Sequence, residues 1–196
     1  MTDQTNFAAV ILAGGSSRRM QTNKALLQIN GKSIMQIIID RLTPYFKEVI
    51  IISNQPQVYA RFGLPVYSDI FLNQGPLAGI HSGLTHISSA GAFFTACDMP
   101  FIDPRLAWQL TQLLHSYQGV VPRLGAFLQP LYAAYSKECL PAVEKSLQNG
   151  QPKITSFYQW VNINYFDFAQ HPEYNWDRIF FNVNTPSDYQ QITGIK

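Results

Sequence analysis

"LAGGSSRRMQTNKALL", residues 12–27, follows a short apolar run over residues 7–12 and leads into a second apolar patch. The run suits a strand covered on both faces. Behind it come two glycines, two serines, two arginines and a lysine. Gly14-Gly15 lets the chain turn sharply and approach a ligand with no Cβ in the way. N–H groups bared at such a turn can donate to phosphate oxygens. Arg18, a rigid fork, and Lys24, a compact charge, can hold the outer phosphates. The spacing matches neither the GxGxxG of a dinucleotide fold nor the GxxxxGK[ST] of a P-loop. On composition alone, a glycine-rich surface turn accounts for the stretch equally well.

Working outward, strand and helix patterns alternate. Apolar residues at 34, 35, 37, 38, 39 and 42 predict a buried helix over 32–42, ended by Thr43-Pro44. "EVIIIS" (48–53) and the shorter "LPVYSD" (64–69) read as strands. Gly75-Pro76 opens a helix running to about residue 88, and "GAFFTACD" (91–98) is a third strong strand. Asp103-Pro104 is a helix start with an N-cap, followed by a leucine stripe at 106, 110, 113 and 114. Later strands are expected at 118–122, 128–135, 162–168 and 179–183, with helices at 137–149 and in "SDYQQIT". This order predicts an α/β three-layer sandwich with a mostly parallel central sheet. The absence of a repeat or long linker predicts one domain over residues 1–196.

The composition favours a folded chain: 46 % hydrophobic and 13 % charged residues. A net charge of +2 is too small for a dedicated nucleic-acid binder, so no nucleic acid is expected as partner. Cys97 and Cys139 lack the spacing of a zinc site or disulfide scaffold. No stretch reaches a membrane span, and the N-terminal residues are acidic where a secretory signal needs positive charge. A cytoplasmic protein without membrane association is the expectation. His81, His86, His115 and His171 show no triad or metal spacing and are expected to pack or face solvent.

Asp98 ends an apolar strand, where an aspartate suits a ligand-facing edge better than continued pairing. Mg²⁺ takes oxygen ligands and often only one or two carboxylates, so Asp98 is the candidate metal ligand. Asn182 and Asn184 bracket Val183, and strand alternation would put both on one face as further candidates. Local turn bonding explains either asparagine as readily.

Five blocks carry a resemblance over nearly the whole chain: the opening stretch, "GPLAGI" (75–80), "CDMPF" (97–101), "QPLYAAY" (129–135) and "FFNVNTPSDY" (180–189). The first resembles the pattern LAGGxSxRMGxDKAL of nucleotidyltransferases that transfer NMP groups. In this order the five resemble the molybdenum cofactor guanylyltransferase family. The resemblance implies a Rossmann-like nucleotidyltransferase fold, with a nucleotide-binding half at about 1–104 and an acceptor-binding half at about 105–196. It implies transfer of GMP from GTP to the phosphate of molybdopterin, with Mg²⁺ as cofactor and pyrophosphate as product. Lys24, Asp98 and Arg18 would be catalytic. Nucleotide contacts would come from Leu12, Ala13, Gly14, Gly15, Lys24, Asn54, Asp69, Gly79 and Asp98. Arg123, Gln129 and Lys153 would meet the acceptor, with Phe157, Tyr158 and Trp160 either stacking on a pterin or closing the core. Transient contact with proteins that donate or receive the molybdenum cofactor is also implied.

Two residues depart from that pattern: Gln21 stands where it has glycine, and Asn23 where it has aspartate. The second removes a negative charge beside Lys24. Rival readings are a related enzyme using another NTP or a sugar phosphate, and a non-catalytic nucleotide-binding module.

Overall fold

The computed structural model describes residues 5–14 and 23–194. The expected contributions of Gly15, Arg18 and Gln21 lie outside the described residues. In chain order the elements begin β1 (Thr5–Leu12), β2 (Gln28–Ile29), β3 (Lys32–Ser33), α1 (Ile34–Leu42), β4 (Phe46–Ile52) and α2 (Pro56–Tyr59). They continue β5 (Val66–Tyr67), α3 (Gly75–His86), β6 (Gly91–Ala96), α4 (Pro104–Gln112), β7 (Gly119–Leu124) and β8 (Phe127–Leu128). The last are β9 (Tyr132–Ser136), α5 (Leu140–Gln148), β10 (Ile163–Asp167), α6 (Trp176–Ile179) and α7 (Pro186–Thr193).

β1 is the hub of the sheet. It lies between β4 and β6, parallel to both, and every residue in it except Asn6 is buried. Burial on both faces is why its sequence is a continuous apolar run rather than an alternating one. The sheet order is β10-β7-β9-β6-β1-β4-β5, with β8 paired to β7. Of the seven strands on that path only β9 runs against the rest. The sheet is therefore mixed but mostly parallel, as expected.

Two apolar layers sandwich it. Ala9 and Ile11 of β1 face the side covered by α1 and α4, including Ile34, Ile38, Leu106 and Leu110. Ala8, Val10 and Leu12 face α3 and α5, including Leu77, Ile80, Val143 and Leu147. Each such aliphatic side chain contributes about 1.5–3 kcal/mol on burial. α3 lies unusually close: a Cβ on Gly83 would come within 2.6 Å of Phe94 Cε1 and 2.9 Å of Val10 Cγ1.

Local signals set the helix starts. Ser33 caps α1 by accepting from the Gln36 N–H, and Asp103 caps α4 by accepting from Arg105 and Leu106. Thr185 and Asp188 form a reciprocal capping box at α7. Two expectations need correction. Residues 179–183 form no strand; Asn175 caps the short α6, and the chain then passes through a loop. Its apolar residues are buried all the same, with Phe180 edge-on to Tyr132 at 5.0 Å and Val183 fully covered. Residues 128–135 are not one strand: they divide between β8 and β9, joined through Gln129 and Pro130. Among the described residues no helix is long and apolar enough to cross a membrane.

Candidate active site

Register builds the site. Leu12 pairs with Ile52 on one side and Ala96 on the other, so β1, β4 and β6 end level. The ladder runs one residue further: Ala13 N–H donates to the Ile52 carbonyl and Cys97 N–H to the Leu12 carbonyl. Leu12 and Ala13 thus spend these backbone groups on the sheet, and the chain is released at Gly14, which is exposed. Asn54 emerges beside it after β4, and Asp98 after β6. Ligands of open α/β sheets bind at this carboxyl edge.

Lys24 opens a 3-10 turn, Lys24–Leu26, capped by the Asn23 side chain accepting from the Ala25 N–H. Its Nζ donates to Oδ1 of Asn184 at 2.6 Å and lies 3.6 Å from Oδ2 of Asp98. Two oxygens from distant segments therefore converge on one ammonium. Asn182 is engaged locally, its Nδ2 donating to the Phe180 carbonyl, whereas Asn184 shares the Lys24 ammonium with Asp98. The second oxygen of Asp98, Oδ1, is buried and has no hydrogen-bond partner among the described residues. Burial pushes the Asp98 carboxyl above the usual carboxylate range, and Lys24 only partly opposes this. A buried, unsatisfied carboxylate oxygen is costly unless a ligand completes it.

Asn54 and Asp69 form a second constellation. Asn54 Nδ2 donates to Asp69 Oδ2 at 2.8 Å, and Asn54 Oδ1 accepts from the Asp69 N–H at 2.9 Å. Burial raises the Asp69 carboxyl against the pull of Asn54. Gly79 of α3 faces this pair: a Cβ there would sit 3.1 Å from Leu12 Cδ2 and 3.7 Å from Asp69 Oδ1. The three expected nucleotide residues Asn54, Asp69 and Gly79 are thus brought together with Leu12.

The remaining candidates lie further along the edge. Arg123, near the end of β7, donates from Nη2 to Asp167 Oδ2 of β10 at 2.9 Å, while its Nε is buried with no partner among the described residues. Gln129 is pinned by its backbone to Pro122 and Tyr132. Lys153 lines a cavity of about 500 Å³ with Gln74, Gly75, Pro76 and Pro130. Phe157 and Tyr158 are core residues and are not free to stack on a ligand; the Tyr158 and Tyr135 hydroxyls lie 2.6 Å apart. Trp160 is partly exposed and carries the Lys145 ammonium over its ring at 4.3 Å.

The histidines do pack. His81 is buried with Nε2 3.1 Å from Glu144, His86 meets Tyr67 edge-on, His115 lies against Phe7, and His171 stacks on Phe166. Burial raises Cys97 and Cys139 to about 12, which makes them inert thiols. Among the described residues no three His, Cys, Asp or Glu side chains cluster as a metal site. Sequence reasoning missed Tyr59, whose hydroxyl meets Asn23; its short helix α2 carries no motif that would flag it.

The mostly parallel α/β sheet, with Gly14, Lys24 and Asp98 at its carboxyl edge, is that of an NTP transferase by its family match. Residues 9–163 match the family described as MobA-like NTP transferase domain. A protein of Pelotomaculum thermopropionicum named "Probable molybdenum cofactor guanylyltransferase" is 42 % identical over 180 residues, covering 91 % of this chain and 88 % of that one. "Molybdenum cofactor guanylyltransferase" of Vibrio vulnificus is 35 % identical over 196 residues, covering 98 % and 97 %. The crystal structure of molybdopterin-guanine dinucleotide biosynthesis protein A from Archaeoglobus fulgidus superposes with a TM-score of 0.83 at 22 % identity, covering 96 % and 97 % of the two chains. The chain belongs to the MobA-like NTP transferase family.

Proposed function

We propose that this protein transfers GMP from GTP to the terminal phosphate of molybdopterin. The observation that carries the reading is the convergence of Asp98 and Asn184 on Lys24, with the other Asp98 oxygen buried and unpartnered among the described residues. The names borne by relatives that match almost end to end support guanine as base and molybdopterin as acceptor.

An oxygen of the molybdopterin phosphate forms a bond to the α-phosphorus of GTP. The bond from that phosphorus to the bridging oxygen breaks, and its electron pair leaves with pyrophosphate. The attacking phosphate is already anionic near neutral pH, so the reaction needs no protein nucleophile. What the protein must supply is alignment and relief of repulsion between two polyanions. Lys24 holds phosphate oxygens with a compact positive charge, and Gly14 lets the backbone come close. Asn54 and Asp69 present acceptors and donors to the base and ribose, with Gly79 leaving room for them. Arg123, Gln129 and Lys153 orient the acceptor from the later half of the chain, residues 105–196, against the nucleotide half, residues 1–104.

Asp98 and Asn184 fit a divalent cation. Both offer oxygen, their oxygens already face one cation, and Asp98 Oδ1 has no partner among the described residues. Mg²⁺ held there would neutralise charge on the phosphates.

The test is α-phosphoryl transfer to molybdopterin from GTP, CTP and ATP, with and without Mg²⁺. Guanine dinucleotide formed from GTP alone supports the reading. Product from CTP alone, or transfer only to a sugar phosphate, overturns the assignment of substrates. GTP binding with no turnover on any acceptor identifies a binding module instead.

A further inference from the structure

We propose that Tyr59 is a positioning residue for Lys24, acting through Asn23; the inference rests on Lys24 being a phosphate ligand. Tyr59 ends α2, only 3 % exposed, with its ring stacked 6.4 Å from Phe62. Its ring belongs to the apolar core on the α1 side of the sheet. Yet the hydroxyl meets the Asn23 amide edge-on, accepting from Nδ2 at 3.0 Å and lying 3.3 Å from Oδ1. Asn23 Oδ1 in turn accepts the Ala25 N–H at 3.1 Å and so caps the turn that begins at Lys24. The chain of contacts therefore runs from a fixed aromatic ring, through one amide, to the first residue of the turn.

The arrangement matters because it adds a second tie to the core, beside the buried Ala25, for the turn that carries Lys24. The sequence before it is rich in glycine and cationic residues, and its ammonium reaches Asn184 and Asp98. A lysine stem has four rotatable bonds, and free movement of its base would be lost on binding at a cost in affinity. Fixing the turn beforehand removes part of that cost. The clamp also explains how asparagine serves here: Oδ1 caps the turn while Nδ2 engages Tyr59, and neither contact needs a carboxylate. The phosphate site thereby keeps a neutral neighbour beside its lysine.

The experiment is calorimetric titration of GTP with Mg²⁺, without acceptor, into wild type, Tyr59→Phe, Lys24→Ala and the double variant. Tyr59→Phe keeps the ring in the core and removes one hydroxyl. It should weaken GTP binding by about three- to tenfold, the scale of one hydrogen bond. In the Lys24→Ala background the same change should have almost no effect, since the residue being positioned is gone. An equal loss in both backgrounds, or no loss in either, overturns the clamp. Should Tyr59→Phe fail to fold, Asn23→Ala breaks the same contact from the loop side and must show the same dependence on Lys24. If wild type binds GTP and Lys24→Ala does not weaken it, the role of Lys24 falls and the clamp with it. If wild type binds no GTP, the proposed substrate falls as well.

Discussion

The Nζ of Lys24 lies 3.6 Å from Oδ2 of Asp98, across the level ends of β1 and β6. That separation gives Coulombic attraction without a short hydrogen bond, and Oδ1 of the same carboxylate is buried with no partner among the described residues. The aspartate is under-compensated, and its raised ionisation says so. A group held at such cost is better explained by what it binds than by stability.

Replacing Asp98 by Asn should therefore separate activity from folding. Transfer should fall by at least about 100-fold, the scale of losing a principal electrostatic group at a reacting phosphate. The melting temperature at neutral pH should stay the same or rise, because the cost of burying a charge is removed. Steady-state kinetics and a thermal melt on one sample check both halves.

The same carboxyl sets a pH dependence. With its ionisation raised in the folded protein, Asp98 holds a proton over a range where the unfolded chain has released it. Its stability cost therefore sets in as pH rises above the ordinary aspartate value and is complete once pH passes the raised one. Only the ionised form binds a divalent cation. Mg²⁺ affinity should fall as pH drops through a carboxylate ionisation above the ordinary aspartate value of 3.8. Titration calorimetry at stepped pH checks this; an unchanged affinity down to that value would contradict it.

Asp69→Ala should act on the nucleotide. Losing the partner that Asn54 holds at 2.8 Å should raise KM for GTP by about tenfold. The rate at saturating GTP should change little, and KM for molybdopterin should not move.

Arg123→Ala should show the opposite pattern, raising KM for molybdopterin and sparing KM for GTP. Its Nη2 is anchored by Asp167, which orients a guanidinium that remains partly exposed for an anionic acceptor. Initial rates with each substrate varied in turn check the pair.

Much of this was legible in the sequence because the signals were local. The β1 run, the Gly75-Pro76 helix entry, the Asp103 cap and the helix after Thr185 each follow from residues within a turn of one another. Asp98 was legible because an aspartate at the end of an apolar strand has few structural uses. "FFNV" misled: apolar residues over 180–183 imitate a buried strand, but the neighbouring segments cover them as a loop. Phe157 and Tyr158 could not be assigned from spacing, since an aromatic pair reads alike whether it faces a ligand or the core. The Tyr59–Asn23 contact spans 36 positions and bears no local mark. Choosing Asn184 over Asn182 likewise required the path of the loop after α6.

Gly83→Ala tests the packing independently of the chemistry. A methyl group 2.6 Å from the Phe94 ring forces α3 or that ring to shift. The cost should be about 1–3 kcal/mol, seen as a melting temperature lowered by several degrees.

The most direct test of the central claim is GMP transfer from GTP to molybdopterin by wild type and Asp98→Ala at saturating Mg²⁺, both confirmed folded. Stoichiometric guanine dinucleotide and pyrophosphate from wild type, with the variant silent, is the expected result. Comparable Mg²⁺-dependent turnover by the variant would contradict the account, because the carboxylate at the end of β6 would then have no part in the reaction.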